Sequence, residues 1–160
     1  MIERTIRRFA VTVFACCLMF SAVLAQAIST ERIAVGGIGP GSTTAYVQTI
    51  YGTPTSASEI SADTGVNYIE YTYGNTLLVG FEASTQGAMY VTSTSNTLET
   101  PDGVTTGMTA DVLSRVYGSA NHIYSHGDKS LYVYDDGVGN RLSFDVQNFY
   151  IISVNVRART

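Results

Sequence analysis

The chain has 160 residues, with nine basic and thirteen acidic side chains, a formal charge of −4, two cysteines, eleven tyrosines and no tryptophan. A polyanion binder needs a clustered basic patch, and Arg32, Arg115, Lys129, Arg141, Arg157 and Arg159 are scattered along the sequence, which excludes nucleic acid as a partner. The only cysteines, Cys16 and Cys17, sit together near the amino terminus; thiolate metal sites, cysteine nucleophiles and a disulfide framework are therefore excluded from the body of the chain.

Arg4, Arg7 and Arg8 precede an apolar run from Phe9 to Leu24 and the small-residue site Ala25-Gln26-Ala27. This order reads as a signal peptide over residues 1–27, cleaved after Ala27. The run is shorter than the roughly 20 apolar residues that span a bilayer comfortably, so no stable membrane insertion is expected after cleavage. The expected localisation is exported: periplasmic, associated with the cell envelope, or secreted. The 133 residues left of the 160 suffice for one compact domain or two intimately packed halves.

Residues 37–53 recur 66 positions later as residues 103–119. Gly37, Gly41, Thr43, Tyr51 and Gly52 match Gly103, Gly107, Thr109, Tyr117 and Gly118, and such a period makes the supersecondary unit the thing to explain. Two repeats follow, residues 28–98 and 99–160. Each opens on a short extended or turning segment, Ile33 to Ile38 and Thr100 to Met108. A short helix comes next, capped by Thr43 or Thr109 and stopped at Gly52 or Gly118. Val47, Ile50 and Tyr51, like Leu113, Val116 and Tyr117, fall at helical spacing and should pack on a sheet.

After the first helix, Thr53 to Val66 reads as loop with room for a helical turn at Ser58 to Ser61, and Ser119 to Asp128 reads as a polar loop. Strands are expected at Tyr68 to Tyr73, Thr76 to Phe81 and Ala88 to Ser93, then at Leu131 to Tyr134, Arg141 to Val146 and Tyr150 to Val156. A two-residue turn at Gly74-Asn75 would group Tyr71 and Tyr73 with Leu78. A three-residue turn with a bulge, which we favour, groups them with Leu77, Val79 and Phe81. The fold class expected from this order is α+β: two tandem pseudo-repeats, each a short helix or helical hairpin packed on an antiparallel sheet of three to four strands.

The Gly-x-x-x-Gly-(Ser/Met)-Thr helix start, the Tyr-Gly helix end, the Tyr-x-Tyr strand, the strand ending in Phe and the final apolar strand, all present in both halves, resemble the β-lactamase inhibitor protein-like fold. In single copy the unit is similar to the small outer-membrane assembly lipoproteins of the SmpA/OmlA type. The resemblance runs from about Val35 to Val156 and implies a non-enzymatic protein binder presenting a sheet face or its loops to a partner. It does not carry β-lactamase over as the target.

No cofactor is expected. Gly36-Gly37-Ile38-Gly39-Pro40-Gly41 lacks the spacing of a phosphate-binding loop, and Pro40 has no amide hydrogen to donate. Asp135, Asp136 and Asn140 lack the order of an EF-hand and read as a hairpin turn. The two histidines, His122 and His126, stand near Ser125, Asp128 and Ser130, which defines the rival reading of a small metal-dependent or hydrolytic enzyme centred on His122, His126 and Asp128. A structural envelope protein is the third reading. The favoured one is an exported protein-binding module with an extracytoplasmic protein as partner. If Tyr71, Tyr73, Tyr132 and Tyr134 face the core, then Tyr68, Tyr90 and Tyr150 lie in the opposite phase and are the candidate partner-binding residues.

Overall fold

The computed structural model describes residues 26–61 and 67–159. Apart from Gln26 and Ala27, the expected signal peptide lies outside the described residues. The first packed residue after it is Ile28, which is buried and whose amide donates to the carbonyl of Asp135 at 2.9 Å. A turn of 3-10 helix at Thr30–Arg32 then leads into the core residues Ile33, Val35 and Ile38.

Helix α1 spans Thr44–Tyr51 and α2 spans Asp111–Tyr117. Four strands follow each helix. These are β1 Ser56–Ser61, β2 Asn67–Tyr73, β3 Leu77–Glu82 and β4 Ala88–Ser93, then β5 His122–His126, β6 Lys129–Asp135, β7 Arg141–Gln147 and β8 Tyr150–Arg157. All neighbours are antiparallel, in the order β1-β2-β3-β4-β8-β7-β6-β5.

This order corrects the α+β expectation of two helix-plus-sheet units. Strand β4 pairs with β8 through Tyr90↔Arg157, Val91↔Val156, Thr92↔Asn155 and Ser93↔Val154, making one eight-stranded sheet. The molecule is β-rich, with only the two short helices among its described residues beyond the 3-10 turn. The physical reason lies in β4 and β8 themselves. Val91, Val154 and Val156 are fully buried, and two separate sheets ending here would leave rows of backbone donors and acceptors without partners beside an apolar core.

The helices lie on one face of that sheet. Val47 and Leu113 are fully buried, with Leu77, Val79, Phe81, Leu142, Phe144, Val154 and Val156 in the same core cluster. The register Tyr71↔Val79 and Tyr73↔Leu77 puts those tyrosines on the helix side, with Gly74-Asn75-Thr76 as a three-residue connection. The bulges fall elsewhere, between β3 and β4 and between β7 and β8.

Three local expectations are corrected. Ile50 is 45% exposed rather than packed on the sheet, because a helix of eight residues turns only a narrow stripe inward, here Thr44, Val47 and Tyr51. Thr43 caps α1 by accepting from the Tyr46 amide, but α2 starts from Ala110, and the Thr109 hydroxyl instead donates to the Asp111 carboxylate. Ser56–Ser61 and His122–His126 form the two edge strands rather than loops. The helix stops do fall on the glycines: Gly52 and Gly118 both combine positive φ with extended ψ, a conformation open essentially to glycine alone.

The β6–β7 turn uses its own carboxylate. Asp136 Oδ1 accepts from the amides of Val138, Gly139 and Asn140, and Oδ2 accepts from the Thr30 hydroxyl and the Asn140 side chain. Partial burial pushes this carboxyl up, yet the hydrogen bonds from Asn140, Thr30 and the backbone outweigh it and hold the group at about 2. Its acceptor capacity is spent on the turn and on Thr30.

Candidate functional site

The face of the sheet turned away from both helices carries Tyr68, Glu70 and Thr72 from β2, Leu78 and Gly80 from β3, Tyr90 and Thr92 from β4, and Asn155 and Arg157 from β8. No described helix covers it.

Tyr90 is its centre. The ring lies flat across Gly80, where a Cβ would come within 2.1 Å of the tyrosine Cε1 and Cζ atoms. Only a residue without a side chain leaves room for the ring, which is why glycine stands between the apolar residues Val79 and Phe81. The Tyr90 hydroxyl donates to Glu70 Oε2 at 2.7 Å. Tyr68 meets the ring edge-on, with centroids 6.5 Å apart, and the Arg157 guanidinium carbon stands 5.6 Å from the ring centroid. A phenol, a carboxylate, a second phenol and a guanidinium from three strands thus form one surface cluster.

Burial raises the Tyr90 phenol to about 12, and the hydrogen bond to Glu70 and the charge of that carboxylate push the same way against Arg157. The ring therefore remains a neutral donor at physiological pH. A value raised above the ordinary 10.0 stabilises the folded protein fully below pH 10, and that stabilisation is lost as the pH climbs towards about 12. Alkaline titration followed by phenolate absorbance, with circular dichroism as the fold monitor, should show a late-titrating set of tyrosines. Tyr90→Phe should remove one member. A folded wild-type protein whose phenols all ionise together near pH 10 would contradict the geometry.

A polar row continues from this cluster. The Thr92 hydroxyl donates to Asn155 Oδ1 at 3.0 Å, and Asn155 Nδ2 donates to Asp145 Oδ2 at 2.9 Å. The Ser153 hydroxyl donates to the same carboxylate. Among the described residues, no buried side-chain nitrogen or oxygen lacks a partner. Such connected groups hold fixed positions, because moving one leaves its neighbours unsatisfied.

Of the three tyrosines singled out from the sequence, the structure brings two together. Tyr68 and Tyr90 are neighbours, whereas Tyr150 is at the other end of β8, seven residues from Arg157 and so about 23 Å along the strand. Tyr150 is exposed, opposite Gln147. It follows Phe149, which is 84% exposed and has a positive φ in the Asn148-Phe149 turn. Sequence reasoning missed Glu70, Gly80 and Arg157. The glycine inside an apolar strand was the one signal that could have revealed a close approach.

The histidine cluster does not assemble. His122 and His126 lie on one face of β5 four residues apart, about 13 Å, too far to share an ion through direct ligation. Ser125 faces the other side, where its Oγ is 2.9 Å from Ser130 Oγ. The Gln147 amide donates to Asp128 at 2.8 Å and, as the main cause, holds its carboxyl below the ordinary value. His122 stacks on Tyr124. Among the described residues, no three of His, Cys, Asp and Glu converge on a common point.

No family model matches the chain, and no curated protein matches it. A crystal structure of an extracellular protein containing an SCP domain, from Bacillus anthracis str. Ames, is similar in fold, with a TM-score of 0.50 and 10% identity. The match covers 83% of this chain and 46% of that protein, so this chain spans about half of its neighbour's length. Among the described residues, no helix is long and apolar enough to cross a membrane.

Proposed function

We propose that the protein is an exported, non-enzymatic binding module that presents the helix-free face of its sheet, centred on Tyr68 and Tyr90, to an extracytoplasmic protein. The observation that carries this reading is the cluster of Tyr68, Tyr90, Glu70 and Arg157. Tyrosine and arginine are the residue types that dominate protein-binding hot spots, since each joins a broad contact area to a directional polar tip. Tyr90 is already fixed by Gly80 beneath and Glu70 at its hydroxyl, so little side-chain entropy remains to be lost on association. Export is supported by the basic, then apolar, then small-residue order of residues 1–27. The resemblance to the β-lactamase inhibitor protein-like fold supports the same class of role. Tyr150, remote from the cluster, is assigned no part in this face.

The test is retention of partners from an envelope extract on immobilised protein, comparing Tyr68→Ala, Tyr90→Ala and Tyr150→Ala variants. Loss of a hot-spot aromatic costs at least about 2 kcal/mol, roughly thirtyfold in affinity. That loss is expected for Tyr68→Ala and Tyr90→Ala but not for Tyr150→Ala. The surface assignment fails if all three variants, with unchanged thermal unfolding, retain the same proteins as the wild type.

A further inference from the structure

The sheet ends in two edges of different character. Strand β1 is guarded by a charge, Glu59, within an otherwise mostly serine and alanine sequence. Strand β5, His-Ile-Tyr-Ser-His, has no proline, lysine, arginine or acidic residue and pairs with β6 without a bulge. These are the devices by which edge strands are normally kept from pairing with other chains, and β5 has none of them. All five residues are exposed, Ile123 at 54% and Tyr124 at 60%.

The backbone parity of β5 is fixed by its turn. Gly127, with positive φ, and Asp128 form a two-residue connection closing on His126↔Lys129. A turn of this length closes on a hydrogen-bonded pair. Alternation makes Tyr124↔Leu131 and His122↔Val133 hydrogen-bonded pairs too, and it turns the amides and carbonyls of Ile123 and Ser125 outward. The strand is also symmetric about Tyr124, with a histidine two residues away on either side.

We infer that β5 pairs antiparallel with β5 of a second copy about a twofold axis through Tyr124, extending the eight-stranded sheet into its duplicate. In this register Tyr124 meets the second copy's Tyr124. Ile123 and the second copy's Ser125 exchange two backbone hydrogen bonds, and the symmetric pair exchanges two more, using the four groups on each strand that parity leaves outward. His122 faces the second copy's His126. Charge favours the same edge: the chain is acidic overall at −4, and β5 offers two like-charged copies a strip without acidic residues along which to approach. The axis is perpendicular to the sheet, so both helix-free faces point the same way. A five-residue edge buries less than the roughly 1,000 Å² of a stable interface, so the association is weak and concentration-dependent. It does not rest on the role proposed for Tyr68 and Tyr90.

Sedimentation velocity over a wide concentration range tests the inference. The wild type should pass from monomer to dimer as concentration rises. Ser125→Pro removes an outward amide and keeps the backbone hydrogen bonds to β6, losing there only the hydroxyl contact with Ser130, and it should abolish the dimer. His122→Lys/His126→Glu sets opposite charges at both facing positions and should tighten dimerisation roughly fivefold, whereas His122→Glu/His126→Glu sets like charges there and should abolish it. Circular dichroism confirms the fold of each variant; if Ser125→Pro does not fold, the two charge variants decide. The inference is overturned by a wild type that stays monomeric at millimolar concentration, by a dimer that survives in folded Ser125→Pro, or by charge variants that associate equally.

Discussion

Phe144→Ala is expected to destabilise the protein by about 3–5 kcal/mol, a large part of the roughly 5–15 kcal/mol that holds a domain folded. Phe144 is fully buried on the helix side of β7, between Tyr132 and Val154 of the neighbouring strands. The ring of Tyr117 from α2 stands 5.5 Å away and that of Tyr134 stands 6.1 Å away. Truncation removes the ring that holds α2 against the sheet, and Tyr117 is tied through its hydroxyl to Thr100 at 2.8 Å, so it cannot simply collapse into the space. The body of the chain has no cysteine with which to form a disulfide that would limit the loss. Urea unfolding would show a much lower midpoint. Phe149→Gly is the matched control. It deletes an 84% exposed ring at a positive φ that glycine tolerates better, and should leave stability unchanged or raise it by up to about 1 kcal/mol. A Phe144→Ala change below 1 kcal/mol would contradict the packing described.

The second large effect is expected from Gly80→Ala. The new Cβ would stand 2.1 Å from two ring atoms of Tyr90, well inside any tolerable contact, so the ring has to leave. With it go the hydrogen bond to Glu70, the edge contact with Tyr68 and the stacking on Arg157. A cost of about 1–3 kcal/mol in stability is expected from the overpacking. Partner retention should fall at least as far as in Tyr90→Ala, and the late-titrating phenol should return towards its ordinary range. A double-mutant cycle isolates the cause. In a Tyr90→Ala background, Gly80→Ala has no ring to displace and should be nearly neutral. An equal penalty in both backgrounds would place the role of Gly80 in its backbone rather than in the room it gives Tyr90.

Six of the eight strands were legible in the sequence because they carry apolar or aromatic residues in alternation, as in Leu77, Val79 and Phe81 or Val154 and Val156. Five of these strands bury residues, and β2 packs Ile69, Tyr71 and Tyr73 partly buried against the core; burial is what writes that pattern. The edge strands β1 and β5 bury neither face, so Ser56–Ser61 and His122–His126 looked like loops. The joining of β4 to β8 was invisible for another reason. Pairing between strands some 65 residues apart is set by backbone groups common to every residue, and side-chain identity does not encode which edge meets which. The repeated motif gave the helix stops and the Thr43 cap correctly but misled on the Thr109 cap and on Ile50, where the matched positions differ in what they touch. Of the candidate site, the phase of Tyr68 and Tyr90 could be read once the core face was chosen. Their meeting over Gly80, and the distance to Tyr150, depended on the register across β2, β3, β4 and β8.

The measurement that bears most directly on the binding-face reading is site-specific photo-crosslinking in intact cells. A photoreactive phenylalanine analogue is placed at Tyr68 on the helix-free face in one variant and at the exposed Tyr46 of α1 on the opposite side in another. The account predicts a discrete protein adduct from position 68, suppressed by Gly80→Ala in the same chain, and none from position 46. An adduct formed from position 46 and absent at position 68 would place the partner on the helices and contradict it.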